Sequence, residues 1–433
     1  MIWNREIECA ARAEIKDIQW RRLRKTVAHV YENVPFYRKR LDEAGLLPDG
    51  NWTLKDFERL PFTTKEDLRQ NYPYNLFAVP MKRVVRIHAS SGTTGKPTPV
   101  GYTRDDLDMW SECMARIICM AGGSDEDIAQ ISFGYGLFTG ALGLHQGLEK
   151  IGAAVIPISS GNTEKQLMIM RDFGSTILVS TPSYALYMAD MAREMGVKKE
   201  SLKLKLGLFG AEGHTAEMNR EIESRWGILS TENYGLSEIV GPGVSGECHR
   251  QDGMHINEDC FLPEIVNPRA GEVLPLGAEG EMVITTLRKE AFPLLRYRTK
   301  DITSLLAEPC ACGRTSMRMT RVRGRSDDML IIKGVNVYPS QVESVILGME
   351  HISPYYQLVV TKKGFVDALE VQVELVDDSL LDRFSDLERV ENMVRAKLHS
   401  VLGLDCKIRL REPGAIERTT GKAKHVIDLR DKQ

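Results

Sequence analysis

Residues 83–98 read RVVRIHASSGTTGKPT, a short apolar run that ends in a turn of serine, glycine and threonine. Three later runs have the same form, and segments with helical spacing lie between them. Apolar strands that alternate with helices predict an α/β sheet with helices layered on it. Open α/β sheets bind ligands where such strands end, so the small-residue turns are the first candidates for a site. The three runs are GAAVIPIS (152–159), STILVSTPS (175–183) and LKLGLFGAEG (204–213).

The two ends of the chain differ from this central pattern. Roughly the first 45 residues carry apolar side chains at helical spacing and predict packed helices. After residue 271 the pattern favours strands, and the charged segment RVRGRSDDMLIIKG (321–334) is followed by a β-α-β pattern. We therefore predict a large N-terminal α/β domain of layered sheets and helices over residues 1–326. A small, mobile α+β domain over 327–433 would follow it after a short hinge.

The composition places limits on the class of protein. A chain of 433 residues is too long for one ordinary core, and 42% hydrophobic residues are typical of a globular protein. A net charge of -3 gives no sign of a nucleic-acid binder. No apolar run reaches membrane-spanning length, and residues 1–25 carry acids instead of a secretory segment. We expect a cytoplasmic protein that binds neither nucleic acid nor membrane, with eight cysteines that are reduced or bound to metal.

The turn SSGTTGK at residues 90–96 has the residue types that hold phosphate. Its glycines let backbone N–H groups point into one concavity, and its hydroxyls and Lys96 add donors and a positive charge. It does not match the phosphate loop GxxxxGK[ST], because only Thr93 and Thr94 separate its glycines. Pro97 disfavours helix at Lys96, which favours a hydroxyl-rich flap over phosphates. A polar turn after a strand is the alternative.

Two acidic residues lie in motifs farther along the chain, one after a glycine-containing turn and one after two cations. In ENYGLSEIVGPG (232–243), Glu238 follows Tyr234 by four residues, and a carboxylate there can hold a hard cation beside phosphates. In YRTKDI (297–302), Asp301 is a natural acceptor for ribose hydroxyls. Each has a simpler alternative when it is considered alone, namely a surface ion pair.

Two more polar stretches lie at and beyond the predicted domain boundary. GRSDDMLIIKGVNVYPSQVE (324–343) begins with charged residues, and a charged hinge can exchange partners between two domain positions. ERTTGKAKHV (417–426) presents Lys422 after a glycine, with Lys424 as a rival. A solvated linker and a solvated lysine are the alternatives.

These five stretches, in this order, resemble the adenylate-forming superfamily of acyl-CoA synthetases. The similarity is closest to its phenylacetate–CoA ligase branch and covers nearly the whole chain. It is carried also by ENVPFYRKRL (32–41) and FGYGLFTGALGLHQGLEKIGAAVIP (133–157). The resemblance implies that a carboxylate attacks the α-phosphate of Mg-ATP, which gives an acyl-adenylate and pyrophosphate. The C-terminal domain then rotates, and the thiol of CoA takes the acyl group and releases AMP.

The resemblance also implies a role for each motif residue. The loop at 90–96 would cover the β- and γ-phosphates, Glu238 would help to hold Mg²⁺, and Asp301 would accept both ribose hydroxyls. Lys422 would bridge the carboxylate and the α-phosphate, and Asp327 is the expected hinge. The remaining nucleotide residues would be Ser90, Ser91, Gly92, Thr93, Thr94, Gly95 and Lys96 in the loop, Gly210, Ala211 and Glu212 beside the adenine, Tyr234 at the nucleotide, and Arg325 near ribose or phosphate.

The stretch FGYGLFTG (133–140) is the expected pocket for the acid. Tyr135 and Phe138 supply flat apolar surface, and Gly136 and its neighbouring glycines leave room beside it, which suits an aromatic ring. A glycine-rich turn with core aromatics is the alternative. No obvious cation is placed to recognise a second acidic group. We expect an arylacetate, first phenylacetate, while indole-acetate, hydroxyphenylacetate and benzoate stay open.

The spacing of cysteine and histidine predicts a separate metal site. ECHRQDGMH (247–255) and EPCACGR (308–314) offer three thiolates and an imidazole, enough for tetrahedral Zn²⁺. Four protein ligands leave no open position, so the zinc would be structural. His249 could replace His255, Cys260 is nearby, and unligated cysteines are the alternative. The predicted ligands are Cys248, His255, Cys310 and Cys312.

Other functions stay open from the sequence. An enzyme of the same superfamily could use another aryl acid, or pass the acyl group to a carrier-protein thiol or a hydroxyl instead of CoA. A non-catalytic nucleotide binder is a third possibility, although Lys96, Glu238, Asp301 and Lys422 together argue against it. The resemblance suggests a homodimer, with the N-terminal helices as the candidate interface.

Overall fold

The computed structural model describes residues 1–90, 97–213, 215–332, 335–363, 366–380, 383–419 and 423–430. The helices are α1 (Arg5–Glu8), α2 (Arg12–Asn33), α3 (Pro35–Ala44), α4 (Leu54–Phe57), α5 (Lys65–Gln70), α6 (Arg104–Ala121), α7 (Gly140–Ile151), α8 (Thr163–Asp172), α9 (Pro182–Glu194), α10 (Ala216–Trp226), α11 (Pro339–Ile346) and α12 (Phe384–Leu402). Short 3₁₀ turns cover Met81–Arg83, Lys199–Ser201 and Asp378–Leu380. The strands are β1 (Arg86–Ser90), β2 (Thr98–Tyr102), β3 (Ile128–Ile131), β4 (Ala154–Ile156), β5 (Ile177–Ser180), β6 (Leu206–Phe209), β7 (Leu229–Leu236), β8 (Gly241–Glu247), β9 (Met254–Ile256), β10 (Phe261–Val266), β11 (Gly280–Thr286), β12 (Tyr297–Thr303), β13 (Leu305–Leu306), β14 (Arg318–Met319), β15 (Gly324–Arg325), β16 (Leu330–Ile332), β17 (Val335–Val337), β18 (Ile352–Lys363), β19 (Val366–Leu375), β20 (Lys407–Arg411) and β21 (Val426–Asp428).

The chain divides into two compact units, which we name the large unit and the small unit. Helices α9 and α10 cluster with the C-terminal segment and not with the strands that flank them in sequence. A domain boundary between residues 326 and 327 stays a prediction, because compactness alone does not locate a hinge. The large unit comprises Met1–Ser180, Glu200–Ala211 and Thr231–Thr320, and the small unit comprises Thr181–Lys199, Glu212–Ser230 and Arg321–Gln433.

A mixed sheet forms the centre of the large unit, with the strand order β13-β14-β9-β8-β7-β6-β5-β3-β4. Strands β4, β3, β5 and β6 run parallel, whereas β8, β9, β14 and β13 pair antiparallel. Strands β5 and β6 are buried along their whole length, as parallel strands covered on both faces must be. The apolar runs of the sequence therefore form β4, β5 and β6, and their small-residue turns follow the carboxyl ends of those strands.

Helix α6 packs against α7 and β8. A capping box of Thr103 and Asp106 begins α6, and Gly122 ends it with φ 114°. Gly143 lets α7 approach α6 closely, because a Cβ atom at this position would lie 2.5 Å from the ring of Trp110 in α6. A larger residue at position 143 would force the two helices apart, so this glycine sets their spacing.

Two antiparallel elements complete the large unit. Strands β10, β11 and β12 pair in that order, with a register shift between Glu281 and Val283. Strands β1 and β2 form a hairpin in which Ser90 is opposite Thr98. The hairpin therefore brings Ser90 and Thr98, on either side of residues 91–97, next to each other.

The small unit contains a sheet with the order β20-β19-β18-β21. Strands β18 and β19 form a long antiparallel hairpin, β21 pairs parallel with β18, and β20 pairs parallel with β19. Helix α12 buries Val390, Val394, Leu398 and Leu402, one stripe at helical spacing. Residues 357–364 and 367–376, expected as strands, and the helix expected after them correspond to β18, β19 and α12 in that order. The predicted fold class, a large α/β part with a smaller α+β part, is confirmed.

Candidate active site

A buried hydrogen bond joins two of the residues that the sequence assigned to the nucleotide. Tyr234 lies in β7 and Asp301 in β12, strands of two different sheets. The Tyr234 hydroxyl donates to the Asp301 carboxylate over 2.6 Å, and both residues are buried. A carboxylate accepts several hydrogen bonds, so this contact orients Asp301 and leaves capacity for further donors such as hydroxyl groups.

Glu238 faces a lysine that the sequence reasoning missed. Its Oε1 lies 3.7 Å from Lys65 Nζ, and the Glu238 side chain is 7% exposed. Lys65 is the first residue of α5, which a capping box of Thr64 and Asp67 begins. Mg²⁺ takes one or two carboxylates together with phosphate oxygens and water, so a carboxylate in this position fits that ion. Nothing in the sequence around Lys65 indicates this long-range contact.

The segment expected to hold the acid combines aromatic rings with glycine turns. The Tyr135 hydroxyl lies 3.0 Å from His145 Nδ1, and burial raises the pKa of Tyr135. Gly136 has φ 148°, a left-handed value that favours glycine. The Phe138 side chain is exposed, and its ring lies so close to Gly140 that a Cβ there would approach it to 2.7 Å. Tyr135 and Phe138 therefore supply aromatic surface in one segment of the large unit.

Two contacts fix the backbone of this segment within the large unit. His88 in β1 approaches the Leu137 carbonyl oxygen, with Nδ1 at 3.0 Å. The hydroxyls of Thr139 and Ser237 lie 3.1 Å apart, and Ser237 precedes Glu238. The candidate acid pocket is thus tied both to the strand that leads into the turn at 90–96 and to the candidate metal carboxylate.

Lys289 is a buried lysine beside the ring of Tyr102. Lys289 Nζ is 3.1 Å from the ring centroid of Tyr102, which stacks on Trp110 at 5.2 Å. Lys289 Nζ has no hydrogen-bond partner among the described residues. Burial lowers the pKa of Lys289 to about 7, and burial also lowers the pKa of His88. Neither buried base could be predicted from the sequence, since lysine is rarely buried and histidine is found both at the surface and in the interior.

The four predicted zinc ligands form one cluster. Their ligand atoms all lie within 4.8 Å of one another. Cys248 Sγ is 3.8 Å from Cys310 Sγ, and Cys312 Sγ is 3.3 Å from His255 Nε2. The other ring nitrogen of His255 lies 3.0 Å from the Ser316 hydroxyl, which fixes the orientation of the imidazole.

Strand pairing explains why these residues meet. Cys248 directly follows β8, and His255 lies in β9. Strand β14 pairs with β9 and brings the preceding loop with its two cysteines to the same edge. His249 is exposed and Cys260 bonds to its neighbour Asp259, so neither belongs to the cluster.

The turn after β6 holds the residues expected beside the adenine. A Cβ atom at Gly210 would lie 2.6 Å from the Asn233 carbonyl oxygen, so only glycine fits there. Ala211 is exposed and has φ 72°. Glu212 belongs to the small unit, where its Oε1 accepts from the Ser183 N–H over 2.7 Å and its Oε2 from the Ala423 N–H over 2.9 Å.

The expected hinge residue also lies in the small unit. Arg325 Nε donates to Asp327 Oδ1 over 2.9 Å, and Asp328 is 3.7 Å from the same guanidinium.

Ser90 is buried, and its hydroxyl has no partner among the described residues. The other expected loop residues, Ser91, Gly92, Thr93, Thr94, Gly95 and Lys96, and the expected catalytic lysine, Lys422, lie outside the described residues.

Two family models match this chain. The model of the AMP-binding enzyme covers residues 30–287, and the model of the AMP-binding enzyme C-terminal domain covers residues 334–430. A solved structure of 2-hydroxyisobutyryl-CoA ligase, in the postadenylation state with an acyl-AMP, is similar with a TM-score of 0.93 and 28% identity. That similarity covers 100% of this chain and 93% of the other. The class defined by fold and site is therefore that of the AMP-binding enzymes.

Curated relatives match the chain from end to end. The phenylacetate–coenzyme A ligase of Escherichia coli (strain K12) is 49% identical over 98% of this chain and 97% of its own length. The phenylacetate–coenzyme A ligase of Thermus thermophilus is 46% identical over 99% of this chain and 100% of its own length. The chain belongs to the phenylacetate–CoA ligase branch of the AMP-binding enzyme family, as the motifs predicted. Within the described residues, no helix has the length and apolar character needed to cross a membrane.

Proposed function

We propose that this chain is an ATP-dependent ligase that joins an arylacetic acid, first phenylacetate, to coenzyme A through an acyl-adenylate. The observation that carries the proposal is the full-length similarity to four phenylacetate–CoA ligases, at 46–49% identity. ATP and CoA are the substrates that fit this family. The choice of acid and of acceptor is the finer part of the proposal.

The chemistry explains why the reaction has two steps. A carboxylate is a poor acylating agent at neutral pH, whereas AMP is a good leaving group. The acid oxygen attacks the α-phosphorus, the bond to the bridging oxygen breaks, and pyrophosphate leaves. The CoA sulfur then attacks the acyl carbon, and AMP leaves with the oxygen that the acid supplied. Catalysis of the first step is mainly positioning and neutralisation of charge around phosphates.

Residues of the large unit have distinct roles in this proposal. Asp301, oriented by Tyr234, accepts the ribose hydroxyls, and residues 90–96 cover the β- and γ-phosphates. Glu238 helps to hold a magnesium ion, which neutralises phosphate charge when bound. Lys65 lies 3.7 Å from Glu238 and adds a positive charge beside the same phosphates. Gly210 and Ala211 flank the adenine, and Arg325 of the small unit lies near ribose or phosphate.

The aromatic segment supports an arylacetate as the acid. Tyr135 and Phe138 offer ring faces, and Gly136 keeps the space beside them free of side-chain atoms. An aromatic ring buried against such faces gains apolar contact and a favourable ring geometry. The described part of this segment offers no cation for a second carboxylate, so a monoacid is favoured. Indole-acetate, hydroxyphenylacetate and benzoate are the competing acids.

A structural zinc ion is part of the proposal. With zinc–sulfur bonds of about 2.3 Å, a tetrahedral site places its sulfur atoms roughly 3.8 Å apart. The Cys248 and Cys310 sulfurs are 3.8 Å apart, which supports this geometry. Cys248, His255, Cys310 and Cys312 would fill all four positions. The ion would connect the β8–β9 turn to the loop before β14.

The organisation of the working enzyme is also proposed. Residues 1–326 would form the adenylation domain and residues 327–433 a mobile domain that carries Lys422, with Asp327 as the hinge. The enzyme would be a cytoplasmic homodimer with its N-terminal helices at the interface. Sedimentation at several protein concentrations tests the dimer, and a monomer throughout would contradict it.

A pyrophosphate-release assay with a panel of aryl acids, with and without CoA, tests the function. Phenylacetate should give the highest kcat/KM and a CoA thioester. Pyrophosphate without a thioester would point to another acceptor. No turnover with any acid would favour a nucleotide binder without catalysis.

Replacement of the proposed catalytic lysine tests the mechanism. Lys422→Ala should abolish acyl-adenylate formation from acid and ATP, while an acyl-adenylate supplied from outside should still react with CoA. Lys424→Ala is the matched control, because Lys424 is exposed and only two residues away. Full adenylate formation by Lys422→Ala, or its loss in Lys424→Ala, would contradict the assignment.

A further inference from the structure

The loop that carries two of the four proposed zinc ligands lies against the N-terminal segment, residues 1–11. This loop, which we name the metal loop, comprises residues 307–317 between β13 and β14. Cys310 and Cys312 belong to it. A loop lacks the ladder of hydrogen bonds that fixes His255 in β9, so its two ligands depend on contacts with other parts of the chain for their position.

A buried ion pair joins the two stretches. Glu8 is the last residue of α1, and Arg314 follows Cys312 by two positions. Arg314 Nε donates to Glu8 Oε2 over 2.5 Å, and the two side chains are 2% and 5% exposed. The other carboxylate oxygen accepts the Asn4 N–H over 2.7 Å, and Arg314 Nη2 donates to the Met1 carbonyl oxygen over 2.6 Å. Loss of one partner would leave a buried charge uncompensated, so this pair resists separation.

Arg314 in turn contacts the ligand itself. Its backbone N–H and its guanidinium both interact with the Cys312 sulfur. The next residue, Thr315, donates its N–H to the Glu8 carbonyl oxygen over 3.0 Å and its hydroxyl to the Ala10 carbonyl oxygen over 2.6 Å. The N-terminal segment therefore holds both the backbone and the side chains of the metal loop directly after Cys312.

The N-terminal segment is itself fixed on α6. Trp3 Nε1 and Asn4 Nδ2 donate to the two oxygens of Glu112, each over 3.1 Å. Glu112 lies in α6, where Arg116 Nε donates to the same carboxylate over 3.2 Å. The segment therefore connects a long helix of the large unit to the metal loop.

We infer that Glu8 is a positioning residue for the zinc ligand Cys312, on which it acts through Arg314. The inference rests on the zinc site of the proposed function. Groups that contact metal ligands orient them, and replacement of such a group typically weakens metal binding by roughly 10- to 100-fold. Linkage makes the effect reciprocal, so bound zinc should also hold the N-terminal segment in place.

A second buried ion pair allows this role to be separated from a general effect on stability. Arg296 Nη2 lies 2.9 Å from Glu264 Oε1, and both side chains are buried. Glu264 lies in β10, in a different sheet from β9 and β14. Glu264→Gln therefore breaks the same kind of pair away from the metal loop.

Competition with a chromogenic chelator measures the zinc affinity of the full-length protein. Glu8→Gln removes the charge that pairs with Arg314 and replaces one acceptor oxygen with an NH2 group. We expect it to lower zinc affinity by roughly 10- to 100-fold, while Glu264→Gln changes the affinity less than about threefold. An unchanged affinity in Glu8→Gln, or an equal loss in Glu264→Gln, would overturn the inference.

Hydrogen exchange of the wild type tests the same link even if Glu8→Gln does not fold. Removal of zinc by the chelator should speed exchange of the Thr315 amide and of the amides in peptides covering residues 4–10. Exchange in peptides covering β5 should stay the same. Unchanged exchange in the N-terminal segment after zinc has left would overturn the inference.

The possible results distinguish this inference from the proposals beneath it. A wild type that binds no zinc would refute the zinc site, and this inference with it. A wild type that binds zinc no more tightly than Glu8→Gln would refute the positioning role alone. Neither measurement requires turnover, so a failure to form an adenylate would refute the proposed reaction and not this inference.

Discussion

Replacement of Cys312 by alanine should release zinc from the large unit and lower its thermal stability. The mutation removes one of four ligand atoms that lie within 4.8 Å of one another. Three protein ligands leave an open position, through which a chelator can remove the ion. His255, which lies 3.3 Å from the Cys312 sulfur, would then lose its partner in the cluster.

The size of the effect follows from the loop that the metal closes. Cys248 and Cys310 are 62 residues apart in sequence. A cross-link across a loop of that length restricts the unfolded chain by about 4 kcal/mol, in the chain-entropy model used for disulfides. At roughly 2–3 °C per kcal/mol for a domain of this size, Tm should fall by about 10 °C. Strain or residual structure in the unfolded chain would reduce this value.

Metal analysis and thermal melting together provide the assay. The wild type should hold close to one zinc per chain and lose about 10 °C in Tm on treatment with a strong chelator. Cys312→Ala should hold little zinc and show no further loss with the chelator. Cys119→Ala is the control, because Cys119 is a buried cysteine of the large unit outside the cluster. A wild type without zinc, whose Tm the chelator leaves unchanged, would refute the reasoning.

Three further changes test other parts of the molecule. Tyr234→Phe removes the 2.6 Å hydrogen bond to Asp301. It should raise the KM for ATP roughly tenfold, since the loss of a hydrogen bond to a buried charged acceptor costs about 1–3 kcal/mol. An unchanged KM would contradict the proposed role of Asp301 in nucleotide binding. Lys289 has its pKa lowered from 10.5 to about 7, so stability present above pH 10.5 is lost as pH falls towards 7. Lys289→Met should therefore stabilise the protein in urea melts by up to about 3 kcal/mol more at pH 7 than at pH 10, and an equal gain at both would contradict the burial argument. Glu343 has its pKa raised from 4.5 to about 7, so the stability present below pH 4.5 is lost as pH rises through 7. Glu343→Gln should therefore raise the free energy of unfolding by up to about 2 kcal/mol more at pH 8 than at pH 5. A larger gain at pH 5 would contradict the direction of this pKa shift.

Most of the fold prediction came from local sequence patterns. The helical spacing near the N-terminus corresponds to α2 and α3, and α3 ends at Gly45 with φ 69°, as a glycine in that position predicts. The apolar runs correspond to β4, β5 and β6. Strands β5 and β6 are buried throughout, and burial on both faces selects continuous apolar residues, whereas β4 ends the strand order and is partly exposed. The order of β18, β19 and α12 was predicted, but the antiparallel pairing of β18 with β19 was not. Which strands pair depends on contacts that periodicity does not encode.

The metal cluster could be predicted as a set of residues because thiol and imidazole side chains are few and chemically distinctive. Their meeting depends on the pairing of β9 with β14, where His255 is opposite Arg318. The sequence left His249 open as a ligand, and only the strand register decides between the two histidines. Adjacent residues of a strand point to opposite faces, so a shift of one residue would have removed His255 from the cluster.

The positions of Lys65, His88 and Lys289 could not be predicted for a different reason. Each looks like a surface residue in the sequence, because most charged side chains are exposed, yet His88 and Lys289 are buried and Lys65 is half-buried. Their partners, such as Glu238 for Lys65, are remote in sequence. A single sequence does not show which distant positions are in contact, so such contacts are seen only in the folded structure.

The grouping of α9 and α10 with the C-terminal segment also depends on contacts between residues that are remote in sequence. Asp190 of α9 accepts hydrogen bonds from Arg225 of α10, over 2.6 Å, and from the Tyr355 hydroxyl of β18, over 2.8 Å. The charged segment predicts a boundary between residues 326 and 327, and half-buried polar contacts of this kind lie within the small unit, which also holds residues 181–199 and 212–230. Glu212 lies in that grouped segment and reaches the residue after Lys422. A residue that the sequence assigns to the nucleotide therefore contacts Ala423 in the C-terminal segment, and only the folded chain reveals that contact.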